Sequence, residues 1–295
     1  MRELFSNPIT AGIVLPLLVG IATGLFMLSV RGMEMIATLA AIVALIFVYW
    51  LLEGVPPFPP IASKQKLGYL VGMGGIAACL LPMAAWRRPA GFALTAAGTL
   101  AAFAWLGWPK FQAGMSLHLL IAFGVAILLA GGTTMLAQTD DDASPQAEMQ
   151  FLNPAAILST AFASAIIGFM GLFIGMAQFL GAIAALTGGA LLVGYGALLM
   201  TGKPRASLTP TACLGVSFAL SAALILTALL GPEPHPVALL IAPFSLYMPR
   251  LVAGPLNGLL PRFQWLRPVV AGALIALPAL LASLVAWFGG TSPIG

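Results

Sequence analysis

The sequence predicts an all-α integral membrane protein with about ten transmembrane helices, on the basis of its composition and the spacing of its apolar runs. Hydrophobic residues occupy 61% of the 295 positions and charged residues only 7%, whereas an ordinary soluble domain carries about 25% charged residues. The mean hydropathy is +1.06. A soluble fold of this size cannot bury so much apolar surface, so we expect lipid around the protein.

Five apolar runs fill the first half of the chain, residues 1–137. Each is close to the about 20 residues that a helix needs to cross a bilayer. They cover residues 9–30, 35–52, 67–83, 90–106 and 115–136. No small-residue cleavage site closes the first run, so we expect it to be retained as a helix.

The second half, residues 154–295, contains five further runs after an acidic linker at residues 138–153. The linker is the longest polar stretch in the chain. The runs cover residues 155–175, 179–200, 211–230, an interrupted stretch from 237 to about 260, and 268–288. The interruption makes the ninth span the least regular of the ten.

An internal duplication is indicated when the sequence is shifted on itself by 147 residues. This offset aligns Gly24-Leu25-Phe26 with Gly171-Leu172-Phe173 and, without a gap, Leu67-Gly68 with Leu214-Gly215. Repeats with an odd number of spans enter the membrane from opposite sides. Two five-helix halves related in this way would therefore form inverted repeats.

The distribution of Lys and Arg predicts the orientation, because cationic loops stay cytoplasmic. With ten spans and the N-terminus outside, eight of the twelve cations face the cytoplasm of a bacterial inner membrane. These eight are Arg31, Arg87, Arg88, Lys203, Arg205, Arg250, Arg262 and Arg267. The second half carries this bias, whereas the first half alone favours the opposite orientation.

The first candidate site is the segment from Glu53 to Lys66. Pro56, Pro57, Pro59 and Pro60 cannot continue a helix and favour a stiff polyproline-II path. Glu53 follows an apolar run, and Lys64 and Lys66 lie in the same predicted loop. One interpretation is a gate or anion-binding lip with Glu53 as an ion-coupling carboxylate. The other is an interfacial loop whose lysines contact lipid headgroups.

The second candidate site is the proline-interrupted stretch 242–268. Prolines recur every six residues from Pro243 to Pro261, so one straight helix is excluded. Broken helices often form the substrate sites of transporters, and the side chains of Ser245, Tyr247, Arg250 and Asn257 add polar groups. The alternative is a half-length helix followed by a helix lying flat at the membrane surface, anchored by Arg and Trp.

His118 is the one histidine in an apolar run, and it is either a proton-titrating group or an ordinary packing residue. With two histidines in the chain, neither a bis-His haem nor a three-His zinc site can be built, and we expect no cofactor or metal. No Asp lies in a predicted span, so a catalytic function is not indicated. Scattered cations without a basic stripe also argue against nucleic-acid binding.

Two functions remain open. In length and helix count the chain is similar to the drug/metabolite transporter class, although no residue motif carries that resemblance. We predict a small secondary transporter with its site between inverted halves and an apolar or amphipathic cargo. The alternative is a non-catalytic membrane subunit of a larger complex, which the scarcity of polar groups in the spans favours. The expected partners are membrane lipids, and other membrane subunits or a second copy of the chain.

Overall fold

The computed structural model describes residues 10–30, 33–80, 88–137, 146–203 and 208–289, and every regular element in these ranges is helical. A π-helical turn, Thr10–Val14, leads into the first helix. The helices of the first half are α1 (Leu15–Ser29), α2 (Glu34–Glu53), α3 (Ser63–Leu80), α4 (Arg88–Ala113) and α5 (Leu117–Ala137).

The second half contains three long helices, a broken segment and a last long helix. The long helices are α6 (Gln146–Met170), α7 (Ile174–Thr201) and α8 (Pro210–Leu230). The broken segment consists of α9 (Pro236–Ile241), a 3-10 turn (Ala242–Leu246), α10 (Met248–Ala253) and a second 3-10 turn (Asn257–Leu259). The chain ends on α11 (Arg267–Gly289).

A multi-pass helical membrane protein is confirmed by the length and composition of these helices. In the described part of the chain, seven helices are long and apolar enough to cross a bilayer: α1 with its preceding turn, α2, α5, α6, α7, α8 and α11. Helices α3 and α4 are not among the seven. The first turn of α3 is polar, and the last turns of α4 contain Pro109 and Lys110.

The stretch from 237 to about 260, which the sequence predicts to be interrupted, is broken into short helical elements. The apolar helical part, Pro236–Leu246, has 11 residues and is about 16 Å long, which is half of a bilayer core. Pro243 and Pro249 each stand in the first turn of the element that follows the break. Since proline has no N–H to donate, each of these residues begins a helical turn more readily than it continues one.

Two further boundaries differ from the prediction. Helix α6 begins at Gln146, so the last part of the predicted linker is helical, while residues 138–145 lie outside the described ranges. Lys64 and Lys66, predicted to lie in a loop, stand in the first turn of α3. The cause is Gln65, whose side-chain oxygen accepts hydrogen bonds from the N–H groups of Ile61 (2.9 Å) and Ala62 (3.1 Å). This contact resembles half of a capping box and starts the helix early.

Helix α8 forms the centre of the bundle, and its residues are almost all buried. It packs between α3 and α5, while α1 packs along α7, so helices of the two predicted halves interleave. Helices α1 and α7 run in the same direction. Gly12, in the turn before α1, lies near Gln178, and Gly24 lies near Val193, so the residue numbers of both helices increase together along the contact. Whether the halves superpose after inversion stays a prediction.

The bundle has two ends that are useful as references. The Glu53 end contains the end of α2 and the start of α7, where Gly175 lies beside Glu53. The Thr209 end contains the start of α8, where the hydroxyls of Thr38 and Thr211 are 2.5 Å apart.

The broken segment extends between the two ends of the bundle. It starts where His235 contacts Gly289, the last residue of α11. It finishes near the start of α11, where the Tyr195 hydroxyl donates a hydrogen bond of 3.0 Å to the Trp265 carbonyl. The segment therefore covers about the same distance as α11.

Glycines allow α1 and α7 to approach closely. A Cβ added at Gly20 would lie 2.8 Å from the carbonyl carbon of Leu186, and one at Gly189 would lie 2.9 Å from the backbone nitrogen of Ile21. These neighbours are backbone atoms, which cannot rotate away. The contact between the two helices therefore depends on the absence of side chains at these positions.

We expect Gly20→Ala to lower the unfolding temperature of the detergent-purified protein. The added methyl group must separate α1 from α7, and overpacking of this kind costs about 1–3 kcal/mol. Gly72→Ala is the matched control, since it also replaces a helical glycine but nothing lies within 4 Å of its added Cβ. Both changes gain helix propensity of about 1 kcal/mol. Equal unfolding temperatures for the two variants would contradict the close contact.

Candidate functional site

The loop between α2 and α3 brings three of the predicted site residues to the Glu53 end. Gly54, with φ of +77°, ends α2, and its N–H donates to the Trp50 carbonyl at 2.9 Å. The Tyr69 hydroxyl donates to the Pro57 carbonyl at 2.9 Å and holds the loop against α3. The proline-rich stretch is therefore a fixed connection that sets α3 beside α2.

Glu53 and Lys64 form an ion pair at the start of α7. The distance from Lys64 Nζ to Glu53 Oε2 is 2.5 Å, and the side chains are 46% and 11% exposed, respectively. A Cβ at Gly175, in the first turn of α7, would lie 3.3 Å from Glu53 Oε1 and 3.4 Å from Lys64 Nζ. The carboxylate thus lies at the positive end of the α7 dipole. This pair connects the first half of the chain to the second.

Lys66 is more buried than Lys64, and its ammonium takes the place of the backbone N–H that Pro109 lacks. In an α-helix the Trp105 carbonyl would accept the N–H of residue 109, but proline has none. The Lys66 ammonium donates to this carbonyl instead, at 3.0 Å, and lies 5.6 Å from the centre of the Trp105 ring. The Ser63 hydroxyl also donates to the Leu106 carbonyl, at 3.1 Å. The first turn of α3 is thereby fastened to the end of α4.

The contacts of the Lys66 ammonium with the described residues are all with neutral groups. The residue is only 9% exposed, and its contacts are a backbone carbonyl and an aromatic ring. Within the described part of the chain, no carboxylate oxygen lies within 4.0 Å of its nitrogen. Lys66 thus differs from Lys64, which has Glu53 as a counter-ion.

An apolar cavity of about 390 Å³ opens between α3, α4 and α8. We call it the α3–α4 cleft, and its volume is within the range of ligand-binding pockets, about 300–1,000 Å³. It is lined by Leu70, Met73, Gly74, Ala77, Ala78, Leu94, Thr95, Gly98, Ala101, Ala102, Trp105, Leu214 and Phe218. Of the lining residues in the described part of the chain, only Thr95 and Trp105 bring polar side-chain atoms. The Trp105 ring is shared, because it lines the cleft and also contacts Lys66.

A second apolar cavity of about 540 Å³ lies between α1, α6, α7 and α11. Its polar side chains are Ser159 and Tyr195, and the Tyr195 hydroxyl already donates to the Trp265 carbonyl. Among the described residues, no charged side chain lines this cavity. The α3–α4 cleft is the stronger candidate site, since it combines apolar volume with an adjacent charged group.

The polar residues of the broken segment hold it to neighbouring helices. The Tyr247 hydroxyl donates to the Leu128 carbonyl of α5 at 2.7 Å, and its ring fits against Gly131 and Gly132. Asn257 accepts a hydrogen bond of 2.5 Å from Arg267. Neither of the two cavities is lined by these residues.

Three further predicted site residues stand apart from the cavities. Ser245 is buried, and its hydroxyl has no hydrogen-bond partner within the described residues. Arg250 is half-buried in α10, and His118 is exposed in the first turn of α5. The structure therefore brings together Glu53, Lys64 and Lys66, and does not bring the second group or His118 to the same place.

Sequence reasoning missed Trp105, Pro109 and the small residues that line the cleft. Pro109 was the available signal, because a proline near a helix end frees the carbonyl four residues earlier, here that of Trp105. The partner of that carbonyl, Lys66, lies on another helix and could not be identified from spacing.

We expect the stability effects of Lys66→Met and Pro109→Ala to be coupled. Lys66→Met leaves the Trp105 carbonyl without a donor, a loss of about 1–3 kcal/mol for a buried polar group. Pro109→Ala restores an N–H within α4, so Lys66→Met should cost less in that background. A double-mutant cycle on unfolding midpoints measures the coupling. Additive effects would mean that Lys66 does not compensate for the proline.

No protein-family model matches this chain, and neither a curated protein nor a solved structure matches it.

Proposed function

We propose that this multi-pass membrane protein is a small secondary transporter that binds an apolar or amphipathic cargo in the α3–α4 cleft. The observation that carries the proposal is the position of the cleft. Its walls come from α3 and α4 of the first half and α8 of the second half. A site between two halves that can move relative to each other is the arrangement that alternating access requires.

The lining of the cleft supports an apolar or amphipathic cargo. A polar solute must exchange its hydration for protein hydrogen bonds or charges. The walls offer Thr95 and the Trp105 indole, and the remaining lining side chains are aliphatic, aromatic or thioether groups. The hydrocarbon part of a cargo forms no hydrogen bonds with water, so it needs no polar partners in such a space.

In this proposal the chain crosses the membrane ten times, as two inverted halves. The seven long apolar helices are joined by α3, by α4 and by the broken segment, which extends from the Glu53 end to the start of α11. The Thr209 end, with Lys203 and Arg262 nearby in the chain, would face the cytoplasm of a bacterial inner membrane. The Glu53–Lys64 pair contacts α7 and would be one of the contacts between halves that change during transport.

A second candidate function is a non-catalytic subunit of a larger membrane complex. This function is supported by the exposure of α11. Among the seven candidate spans, α11 has the smallest share of buried residues, 28%. This helix exposes Leu277, Leu280, Leu284 and Trp287, which could contact lipid, a second copy or another chain. The mass of the particle released by mild detergent separates the two functions. Stoichiometric foreign subunits would favour the complex, and the chain alone or as a homodimer would favour transport.

We expect Gly98→Leu to abolish saturable binding in the cleft, because the new side chain occupies the cavity volume. The measurement uses dodecanol carrying a photoreactive diazirine, followed by mass-spectrometric mapping of labelled residues. Labelling of Met73 and Trp105 should be displaced by unlabelled dodecanol in the wild type and be absent in Gly98→Leu. Gly72→Leu is the control, since it adds the same side chain to a helical glycine that does not line the cleft. Equal, non-saturable labelling in all three proteins would contradict the proposed site.

The tenth crossing can be tested with single cysteines on either side of the broken segment. In a background lacking Cys79 and Cys213, we expect Glu233→Cys and Gln264→Cys to react with a membrane-impermeant maleimide from opposite sides of the membrane. Both positions are exposed. The positions Phe58→Cys and Lys203→Cys, at the two ends of the bundle, calibrate the assay. Reaction of Glu233→Cys and Gln264→Cys from the same side would make the segment re-entrant and reduce the number of crossings.

A further inference from the structure

We propose that the cargo is a single-chain amphiphile with a carboxylate head, whose alkyl chain lies in the α3–α4 cleft and whose carboxylate pairs with Lys66. This inference rests on the transport function proposed above. It adds the chemical class of the cargo and assigns Lys66 as the residue that selects it.

Lys66 has no counter-ion among the described residues. Removing an ammonium group from water is costly unless an opposite charge accompanies it. Lys66 is 9% exposed, and its described contacts are the neutral Trp105 carbonyl and the face of the Trp105 ring. Its ammonium carries three donors, of which the Trp105 carbonyl accepts one. An anion is therefore the ligand that this position lacks.

Lys66 lies next to one end of the α3–α4 cleft. Trp105 both lines the cleft and contacts the Lys66 ammonium. Leu70, the first lining residue of α3, stands one helical turn after Lys66, and Ala78 is the last. Between Leu70 and Ala78 the helix rises about 12 Å. A medium-length alkyl chain lying along α3 would fill this distance and bring its head to Lys66.

The position of Lys66 sets the direction in which an amphiphile would lie in the cleft. Lys66 lies at the Glu53 end, in the first turn of α3 and next to the connecting loop. An amphiphile with its head there and its chain towards the membrane interior has the orientation of a lipid in that leaflet. It could enter between α3 and α4 without inverting, because these helices are fastened to each other at the Lys66 position and separated by the cleft farther along.

The charge of Lys66 and the width of the α3–α4 cleft favour a carboxylate attached to a single alkyl chain. Of the other cations nearby, Lys64 is already paired with Glu53, and Lys110, in the last turn of α4, is exposed. Lys66 is thus the one buried cation among the described residues. One ammonium matches a carboxylate, whereas a phosphate with two charges is usually held by several donors or by arginine. The walls carry small residues at Gly74, Gly98 and Ala101, which leave space for a chain in a volume of about 390 Å³.

The test compares dodecanoate with dodecanol, each carrying the same diazirine, on the full-length protein in detergent with the carboxylate ionised. We expect the wild type to bind dodecanoate more tightly, with displaceable labelling in the cleft. In Lys66→Gln the affinity for dodecanoate should fall about tenfold or more, while the affinity for dodecanol stays within about twofold. Glutamine can still donate to the Trp105 carbonyl, so this variant removes the charge and retains the hydrogen bond.

Two variants complete the design. Lys64→Gln removes a cation at the same end of the same helix, but one that has Glu53 as its partner, and should leave the preference for dodecanoate unchanged. Lys66→Arg keeps the charge and should retain the preference, and it supplies the comparison if Lys66→Gln fails to fold. Unfolding temperatures identify variants that have lost their structure.

The outcomes separate this inference from the proposed function. Displaceable binding of both amphiphiles with equal affinity in the wild type, or a preference unaffected by Lys66→Gln, would overturn the carboxylate cargo and leave the cleft as a site for neutral molecules. Absence of displaceable labelling by either probe would overturn the cleft as a cargo site, and with it this inference. A preference for dodecanoate that Lys66→Gln abolishes and Lys64→Gln does not would support both.

Discussion

The requirement that backbone polar groups find partners within the protein governs the region around the cleft. Water is scarce or absent in and near the bilayer core, so each carbonyl that loses its helical donor must find another. Pro109 creates this need one turn before the end of α4. Lys66 meets it by donating to the Trp105 carbonyl, and Ser63 adds a hydrogen bond to the carbonyl of the next residue, Leu106. As a result, α3 and α4 are joined at the Glu53 end by side-chain to backbone contacts.

The same contacts explain why a cavity remains between these helices. Beyond Lys66, α3 packs mainly against α8, and α4 packs mainly against α5. The facing surfaces of α3 and α4 carry Gly74, Gly98 and several alanines, which cannot fill the space between diverging helices. Phe218 of α8 reaches into that space and approaches Gly74. The cleft is thus a consequence of small side chains on two helices that meet only at one end. By contrast, Gly20 and Gly189 bring the backbones of α1 and α7 together.

Much of the secondary structure could be predicted from apolar run length. The run 211–230 became α8 (Pro210–Leu230), and the run 35–52 became α2 (Glu34–Glu53), because a span of this length has no alternative in lipid that satisfies its backbone. The start of α3 was predicted less well. Its first turn is polar, so hydropathy assigned it to the loop, and the hydrogen bonds of Gln65 that begin the helix are local details invisible to a hydropathy average.

The candidate site was only partly predictable. Glu53, Lys64 and Lys66 were identified because charges are rare beside apolar runs. Their different roles depend on partners on other helices: Gly175 of α7 for the ion pair and Trp105 of α4 for Lys66. Such contacts between residues distant in the chain cannot be inferred from spacing. The polar residues of the broken segment were selected by the same reasoning, but Tyr247 and Asn257 hold helices together.

The stability of the fold does not explain why residue 66 is a lysine. The Trp105 carbonyl needs one hydrogen-bond donor, and a neutral glutamine could supply it without the cost of burying a charge. A lysine at this position gains a cation–π contact with Trp105, but it also places a charge in a buried position that has no opposite charge among the described residues. The fold alone therefore disfavours a permanently uncompensated ammonium here. An anion that arrives with its own apolar chain offsets the penalty, since it brings the missing charge to Lys66 and fills the apolar volume beside it.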